Sequence, residues 1–326
     1  MKAIIVEKPG SYDVLNLKDV DEPNPDKKQV KIKVAYCSLN PLDTHSRAAR
    51  VSWGAPKMPY TPGYEYSGKI VDIGNEVDTN LLGKKVSVVG QWGGNAEYST
   101  SDVKNIIQLP EDMDWKIASC ISTCGPTAWH LVNSAGKVKS GDKILIHSAA
   151  GAVGILTSQI AKSKGAIVFG LVGSDTKCKY AKEFGFDYII NRRDNNWSNE
   201  IQKITDNKGV DVIFDGVSGD EAEYNYKVIA PLGRIIYLGQ TAGPPPRINI
   251  SDLISKSISV SGFVQFFHQM ESNFYENKVL YKKISKGEWK IPINKIASLH
   301  DVPNLHKLFE ERKLSGKTLI KIGGEI

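Results

Sequence analysis

The sequence predicts an α/β protein in which a β-rich domain is joined to a doubly wound parallel sheet. Residues 1–120 contain short strand-like segments separated by glycine and proline turns, whereas strand and helix patterns alternate from Gly141 onward. Residues 143–165 have the pattern of a strand, a glycine turn and a helix in succession. The length of 326 residues favours two domains over one.

The composition is typical of a soluble protein, with 41% hydrophobic and 24% charged residues. No apolar run approaches the roughly 18–20 residues that a membrane-spanning helix needs. Residues 1–9 lack the apolar core of a signal peptide because Glu7, Lys8 and Pro9 interrupt it. We therefore expect a cytoplasmic protein without a membrane partner.

Charge and cysteine content argue against a nucleic-acid-binding protein and against a disulfide-linked one. The net charge of +6 is mild and the lysines are scattered, which favours a solvated basic surface over a nucleic-acid partner. The cysteines are few and lack zinc-ribbon spacing, so we expect reduced thiols and no disulfide framework. They are Cys37, Cys120, Cys124 and Cys178.

The chain is predicted to leave the β-rich domain and later return to it. We assign residues 1–122 and 263–326 to that domain and residues 123–262 to the parallel-sheet domain. The clearest strands of the first part are Lys2–Glu7, Gln29–Tyr36, Gly68–Ile73 and Lys85–Val89. A helical pattern at Ala118–Ala135 connects the domains, and Gly125-Pro126 is expected to break it. After residue 262 the pattern is less regular until a final helix and strand, Pro303–Lys313 and Lys317–Ile322.

Strands and helices alternate through the second predicted domain. The strands are Lys143–Ser148, Ile167–Val172, Tyr188–Ile190, Val210–Asp215 and Arg234–Leu238. The later helices are Asp175–Phe184, Trp197–Asp206 and Ala222–Ile229. Alternation of this kind predicts a doubly wound sheet whose glycine turn follows its first strand.

That turn has the spacing of a dinucleotide-binding fingerprint, with Ala149 in place of the first glycine. Gly151 would let the backbone approach a pyrophosphate, and Gly154 would let the helix pack closely on the strand. The first amides of the helix and its dipole would hold the negative charge. Similar turns also occur where nothing binds, so the strand and helix around this one strengthen the functional interpretation.

The end of the second strand indicates which nicotinamide cofactor is bound. Gly173 leaves room for a phosphate, Ser174 can donate to it, and Lys177 and Arg192 supply charge. An NAD site usually has an acidic residue there, and Asp175 is the counter-argument, although it also suits the start of a helix. Lys177 and Arg192 could alternatively be solvated. We favour NADPH over NADH. The predicted binding set is Ala150, Gly151, Ala152, Val153, Gly154, Gly173, Ser174, Lys177, Arg192, Leu238, Gly239 and Phe263.

Five motifs occur in order along the chain: NPLD at 40–43, PGYEYSG at 62–68, GNAEY at 94–98, TAW at 127–129 and HSAAGAVG at 147–154. Over essentially its whole length the chain resembles the zinc-independent quinone oxidoreductase (zeta-crystallin-like) branch of the medium-chain dehydrogenases/reductases. The resemblance implies a GroES-like catalytic domain split around a Rossmann domain, and a homodimer. It further implies that Asn40, Thr127 and the glycine turn line the nicotinamide cleft. Ser174, Lys177 and position 192 would meet the 2′-phosphate; position 192 is often tyrosine in relatives, and Arg192 should strengthen phosphate binding.

The same resemblance allows the zinc ligands to be examined by position. In zinc-using relatives the three ligand positions correspond to Asn40, Tyr64 and Thr123. An amide, a phenol and a hydroxyl are poor replacements for thiolates and imidazole around zinc. Cys37 and Cys124 lie nearby but out of register, and the four-cysteine lobe of a structural site is absent from the sequence. We predict a metal-free protein.

Without a metal, alcohol oxidation loses the Lewis acid that stabilises an alkoxide. Reduction of a quinone, or of the activated double bond of an enone or enal, is chemically easier. Hydride would pass from the nicotinamide to the electrophilic carbon, and the distant oxygen would need a hydrogen-bond donor. The predicted catalytic residues are Asn40, Tyr64 and Thr127.

The donor itself is left open by the sequence. Tyr64 is favoured because it follows Gly63 in a motif that should face the cleft, although packing with its hydroxyl bonded to backbone is an equal alternative. Tyr60, His45 and water are further candidates. Trp53 occupies the region where related enoyl reductases have a tyrosine acid.

A second hypothesis is an NADPH-binding protein with a non-catalytic RNA-binding role, as some relatives of this branch have. The positive net charge and the lack of an obvious acid favour it. Turnover of a quinone or enone would support the enzyme, whereas RNA binding competed by NADPH without turnover would support the alternative. A zinc alcohol dehydrogenase is disfavoured by all three changed ligand positions.

Overall fold

A computed structural model describes residues 1–50, 56–194, 196–272 and 275–323. The strands are β1 (Lys2–Ile5), β2 (Asn16–Asp19), β3 (Gln29–Ser38), β4 (Glu65–Ile73), β5 (Lys85–Val89), β6 (Tyr98–Asp102), β7 (Ile106–Gln108), β8 (Lys143–His147), β9 (Ile167–Val172), β10 (Tyr188–Asn191), β11 (Val210–Asp215), β12 (Ile229–Tyr237), β13 (Ser259–Gly262), β14 (Ile293–Ser298) and β15 (Lys317–Lys321). The helices are α1 (Pro41–Arg47), α2 (Trp115–Ala118), α3 (Ile121–His130), α4 (Ala152–Ser163), α5 (Asp175–Lys182), α6 (Trp197–Ile204), α7 (Tyr224–Val228), α8 (Ile250–Lys256), α9 (Gln265–Ser272), α10 (Tyr275–Ser285) and α11 (Val302–Glu310).

The chain divides into two compact units. The first comprises Met1–Thr123 and Ile293–Ile326, and the second comprises Cys124–Pro292. The division predicted from the sequence differs by one residue at its first boundary. It differs more at the second boundary, since residues 263–292 group with the second unit. Contacts within that unit explain the difference: Trp289 packs against the Trp129 ring at 6.4 Å, and Lys290 N–H donates to Gln159 Oε1 at 2.8 Å.

The first unit contains a sheet with strand order β14-β15-β3-β4-β5-β7, and β6 also pairs with β3. Val30, Ile32 and Val34 recur at every second position of β3 and are fully buried, so the alternation that predicted this strand marks its core face. β3 and β4 extend beyond the predicted ends, because Ser38 pairs with Glu65 in the antiparallel ladder. Both residues are buried and polar, and an apolar pattern does not reveal them.

The second unit is a parallel sheet with strand order β10-β9-β8-β11-β12-β13. This is the doubly wound order 3-2-1-4-5-6, and it confirms the predicted fold class. Ile144, Leu145 and Ile146 of the central strand β8 are all buried, as expected where helices cover both faces of a sheet. β12 begins five residues earlier than predicted: Ile229 pairs with Val210 before a bulge restores register at Arg234.

Two local predictions were wrong. Pro126 lies inside α3 and does not break it, because Ala128 and Leu131 are buried and packing offsets the one hydrogen bond that proline cannot donate. The region after residue 262, predicted to be irregular, contains α9 and α10. Aromatic residues in this region obscure the helical periodicity of apolar residues on which the prediction of helices depends.

Among the described helices, none has both the length and the apolar character that crossing a bilayer requires.

Candidate active site

The glycine turn joins β8 to α4 as the fingerprint predicts. Gly151 caps α4 with extended backbone, and its N–H donates to the Ser148 carbonyl at 2.8 Å. A Cβ atom on Gly154 would stand 2.8 Å from that same carbonyl oxygen and 3.0 Å from Ala149 Cα. The helix can therefore lie this close to the strand only with glycine at 154. Ala152 and Val153 form the first turn of α4, where backbone N–H groups have no partner within the helix.

The end of β9 brings three of the predicted phosphate ligands together. Arg192 N–H donates to the Val172 carbonyl at 2.9 Å, and the guanidinium lies over Gly173, with Nε 3.7 Å and Nη2 3.9 Å from a Cβ placed there. Ser174 caps α5, and its Oγ accepts from Lys177 N–H at 3.3 Å. That hydroxyl keeps its own proton for a second partner.

Asp175 was the residue that argued against NADPH, because an acidic side chain there can bind the adenosine ribose. In the structure its carboxylate binds another residue of the chain. Its Oδ1 accepts from Asn191 Nδ2 at 2.9 Å. The carboxylate also stands in the first turn of α5, where the helix dipole favours negative charge. Its position is explained by the fold without a ribose hydroxyl.

A buried polar network that the sequence did not predict connects the ends of β8 and β11. His147 Nε2 lies 2.8 Å from Asn225 Oδ1, and Asn225 Nδ2 donates to Asp215 Oδ2 at 2.8 Å. The other Asp215 oxygen accepts the N–H groups of Val217 and Ser218 at 2.8 and 2.9 Å. The network fixes the turn after β11. Two features of the sequence could have indicated this network: the histidine directly before the glycine turn and the aspartate that ends a buried strand.

The turn after β12 packs against the turn after β11. Leu238 N–H donates to the Asp215 carbonyl at 2.9 Å, and Ser218 Oγ donates to the Gly239 carbonyl at 2.9 Å. Phe263 follows β13, and its N–H donates to the Tyr237 carbonyl at 2.9 Å. The strand ends that carry Leu238, Gly239 and Phe263 therefore lie at one edge of the sheet, where ligands of doubly wound folds bind.

Thr127 of α3 is held by a residue that the sequence did not single out. Its Oγ1 donates to Gln265 Oε1, and Gln265 is only 8% exposed. The neighbouring Phe263 ring stacks on the His268 imidazole with centroids 4.9 Å apart, and His268 stacks on His130 at 5.6 Å. Within the second unit, Thr127 is thus bound to the first residue of α9, and Phe263 stacks with two imidazole rings.

In the first unit, Asn40 belongs to a buried network of charged and polar groups. Its Oδ1 accepts from Lys317 Nζ at 2.8 Å, and its Nδ2 donates to Glu65 Oε2 at 3.1 Å and to the Ser38 carbonyl at 3.3 Å. Lys317 Nζ also donates to Glu65 Oε2 at 3.0 Å and Ser38 Oγ at 2.8 Å. Both ends of the Asn40 amide are thus bound within its own domain.

Asp43 fixes the turn that carries Tyr64. Its Oδ1 accepts from the N–H groups of Gly63 and Tyr64 at 3.1 and 3.2 Å, and its Oδ2 accepts from Asn40 N–H at 2.8 Å. Burial raises the pKa of Asp43 to about 6, although these three N–H donors act in the opposite direction. The carboxyl therefore links the starts of α1 and β4.

The candidate donors differ in environment. The Tyr64 ring packs on Trp92 with centroids 5.0 Å apart, and burial, followed by the negative charge of Asp43, raises its pKa to about 12. Tyr60 is buried, and the same two causes raise its pKa. Burial, followed by the nearby Arg50, lowers the pKa of His45. Trp53 lies outside the described residues.

The residues at the zinc positions do not suit that metal. Asn40 Oδ1 is occupied by an ammonium, Tyr64 is a neutral phenol, and Thr123 contributes its N–H to Glu65 Oε1 at 2.7 Å. Burial strongly raises the pKa of the Cys37 thiol, which opposes the thiolate that zinc needs. Across the described part of the chain, no group of three His, Cys, Asp or Glu side chains could hold a metal ion.

Family models match both units of the chain. One described as alcohol dehydrogenase GroES-like domain matches residues 26–111, and one described as zinc-binding dehydrogenase matches residues 152–277. The quinone oxidoreductase of Sus scrofa is 30% identical over 324 residues, which are 98% of this chain and 97% of that protein.

Solved structures show the same relationship. The quinone oxidoreductase from Coxiella burnetii is 30% identical, with a TM-score of 0.84 over 99% of each chain. The structure of Escherichia coli quinone oxidoreductase complexed with NADPH has a TM-score of 0.90 at 24% identity, over 98% of this chain and 100% of that chain, and shares the fold. The chain belongs to the medium-chain dehydrogenase/reductase superfamily and, within it, to the quinone oxidoreductase family of oxidoreductases.

Proposed function

We propose that this protein transfers a hydride from NADPH to a quinone, or to the activated double bond of an enone or enal, without a metal ion. The proposed preference for NADPH rests on the residues that follow β9, because the Arg192 guanidinium lies over Gly173, next to Ser174, which caps α5. The relatives named quinone oxidoreductase support the acceptor class.

The glycine turn suits the pyrophosphate of such a cofactor. Residues 150–154 follow the carboxyl end of the central strand β8, so Gly151 and the first N–H groups of α4 lie there. Helix N-termini of this kind bind phosphate through free N–H groups and the helix dipole. Ser174 Oγ can donate to a 2′-phosphate oxygen while it accepts from Lys177 N–H.

NADPH supplies the hydride when it is bound, and one proton completes the hydroquinone or the saturated carbonyl product. Tyr64 is the proposed donor to the acceptor oxygen. Because its pKa is raised to about 12, the phenol keeps its proton throughout the physiological range. Donors fixed in advance stabilise developing negative charge strongly in a site that excludes water.

Asn40 and Thr127 have supporting roles in this proposal. The Asn40 amide is bound to Lys317 and Glu65, so we assign it to positioning the loop that leads to α1 instead of to direct contact with the acceptor. Thr127, held by Gln265, is assigned to the nicotinamide ribose. Catalysis would rest chiefly on holding acceptor and cofactor in contact.

The proposal is tested by following NADPH oxidation with a panel of quinones, enones and enals after dialysis against a strong chelator. We expect turnover to survive the dialysis and elemental analysis to give less than stoichiometric zinc. With NADPH deuterated at C4, label should reach the β-carbon of an enone product. Turnover with no acceptor would reject the enzyme and favour the RNA-binding alternative, and quinone turnover without labelled enone product would reject double-bond reduction.

We also propose a homodimer formed through β13. This strand ends the parallel sheet and has exposed residues along most of its length. Apolar side chains of Leu232, Ile250 and Ile254 are 73%, 62% and 73% exposed. Leu232 belongs to β12, and Ile250 and Ile254 belong to α8. An edge strand such as β13 suits pairing with a second copy across a two-fold axis, and exposed apolar side chains in the same unit favour association.

A further inference from the structure

Arg192 has an acidic neighbour that the phosphate site does not need. Glu221 lies in the 3₁₀ turn Asp220–Glu223 that follows β11, and its Oε2 stands 3.5 Å from Arg192 Nη1. The Arg192 side chain is 15% exposed and that of Glu221 is 46% exposed. The pair bridges the turns that follow β10 and β11, at the carboxyl edge of the sheet.

The two edges of the guanidinium face different neighbours. Nε and Nη2 lie nearest to Gly173, where the proposed 2′-phosphate would meet them, and Nη1 faces the Glu221 carboxylate. A guanidinium can serve both at once, because its donors form a planar fork. The carboxylate nevertheless neutralises the charge on which phosphate attraction depends, and it repels the phosphate itself.

We infer that Glu221 is a specificity-determining residue that limits the preference for NADPH over NADH by engaging Arg192. The inference rests on the proposed function, because it needs Arg192 at the 2′-phosphate. A cofactor without that phosphate gains nothing from a free guanidinium, so Glu221 acts on one cofactor only. The chain thereby keeps some capacity to use NADH despite its basic phosphate site.

The argument is strengthened by the position of Asp175. Acidic residues that select NAD bind the adenosine ribose hydroxyls from the end of the second strand, but Asp175 is bound to Asn191 there. Glu221 reaches the same region from the turn after β11 and acts on the arginine instead of on the ribose. Glu221 is thus an acidic group in contact with a basic side chain of the proposed phosphate site.

The test measures dissociation constants for 2′,5′-ADP, NADPH and NADH by calorimetry at low ionic strength, where screening is weak. The variants are Glu221→Gln, Arg192→Gln and the double variant. Glu223→Gln is the matched control, because Glu223 is an exposed acid in the same turn and its loss changes the net charge equally. Thermal melting checks that each variant is folded.

We expect Glu221→Gln to tighten 2′,5′-ADP and NADPH about two- to fivefold, the range for a partly exposed ion pair, and to leave NADH within error. Glu223→Gln should have less than half of that effect. In the Arg192→Gln background the gain should fall by at least half, because Glu221 acts through the guanidinium.

Three results would contradict separate parts of this reasoning: the role of Glu221, its action through Arg192, and the phosphate site itself. No gain from Glu221→Gln, or an equal gain for NADH, would overturn the inference about Glu221. An undiminished gain in the Arg192→Gln background would overturn its route through the guanidinium. If Arg192→Gln alone leaves the affinity for 2′,5′-ADP unchanged, the proposed phosphate site is itself rejected, which is a separate outcome.

Discussion

Replacing Lys317 by methionine should strongly destabilise the first unit. The ammonium donates to Ser38 Oγ, Asn40 Oδ1 and Glu65 Oε2 at 2.8, 2.8 and 3.0 Å. The Lys317 side chain is 5% exposed and that of Glu65 is fully buried. Methionine keeps most of the apolar stem but leaves the Glu65 carboxylate buried beside an unpaired amide oxygen. Breaking a buried pair on one side costs about 3–5 kcal/mol of unfolding free energy.

Urea unfolding followed by circular dichroism measures this loss. Lys321→Met is the matched control, because Lys321 is an exposed lysine on the same strand, β15, and its change should stay within about 0.5 kcal/mol. Adding Glu65→Gln to Lys317→Met removes the uncompensated charge, so the double variant should recover at least half of the loss. This recovery separates the cost of the buried charge from the cost of lost packing.

A loss below about 1 kcal/mol for Lys317→Met would refute the reasoning, since that is the size expected of an exposed pair. A double variant no more stable than the single one would show that packing dominates. Either result would show that the uncompensated charge of Glu65 does not dominate the effect of losing Lys317.

Four further predictions concern the cofactor, the chemistry, pH and assembly. Lys177→Ala should weaken NADPH binding and hardly change NADH binding in calorimetric titrations; equal affinity of the unmutated protein for both cofactors would contradict the assignment. Tyr64→Phe should raise the barrier to turnover by about 2.7–4 kcal/mol if the hydroxyl stabilises developing charge, whereas a loss of turnover well below tenfold would assign Tyr64 to packing and leave water as the proton source. Because the pKa of Asp43 is raised in the folded protein to about 6 from 3.8, its stabilising contribution is present below about pH 4 and is lost as the pH rises through 6. The stability of the unmutated protein relative to Asp43→Asn should therefore fall by on the order of 3 kcal/mol across that window, and a rise in urea unfolding experiments would refute this sign. Light scattering at micromolar concentration should give about twice the chain mass of 35.9 kDa; a monomer would exclude the dimer.

The sequence by itself determined the features that depend on local periodicity and turn chemistry. The strands β5, β9 and β11 have the bounds that their apolar runs predicted. The glycine turn could also be predicted, because a cofactor-binding turn needs small residues at fixed spacing. Gly154 is required by its contacts with Ser148 and Ala149, which are close to it in the sequence. The doubly wound sheet was predicted from the alternation of strands and helices, since short crossovers in a parallel sheet leave few alternatives, whereas its sixth strand, β13, was not predicted.

Helix boundaries were less predictable where tertiary packing outweighed local preference. Gly125-Pro126 was expected to break a helix, but Pro126 lies inside α3, since buried neighbours stabilise the helix around it. The helices α9 and α10 were missed. In both cases the local pattern was weak, and propensity alone does not decide such segments.

Only the tertiary structure decided which polar side chains meet. Lys317 and Asn40 are 277 residues apart in sequence and bond at 2.8 Å, because β15 pairs with β3. Arg192 and Glu221 likewise come from turns after different strands. Burial then requires each polar group to find a partner, and the partner is chosen by strand pairing at long range, which periodicity along the chain does not encode.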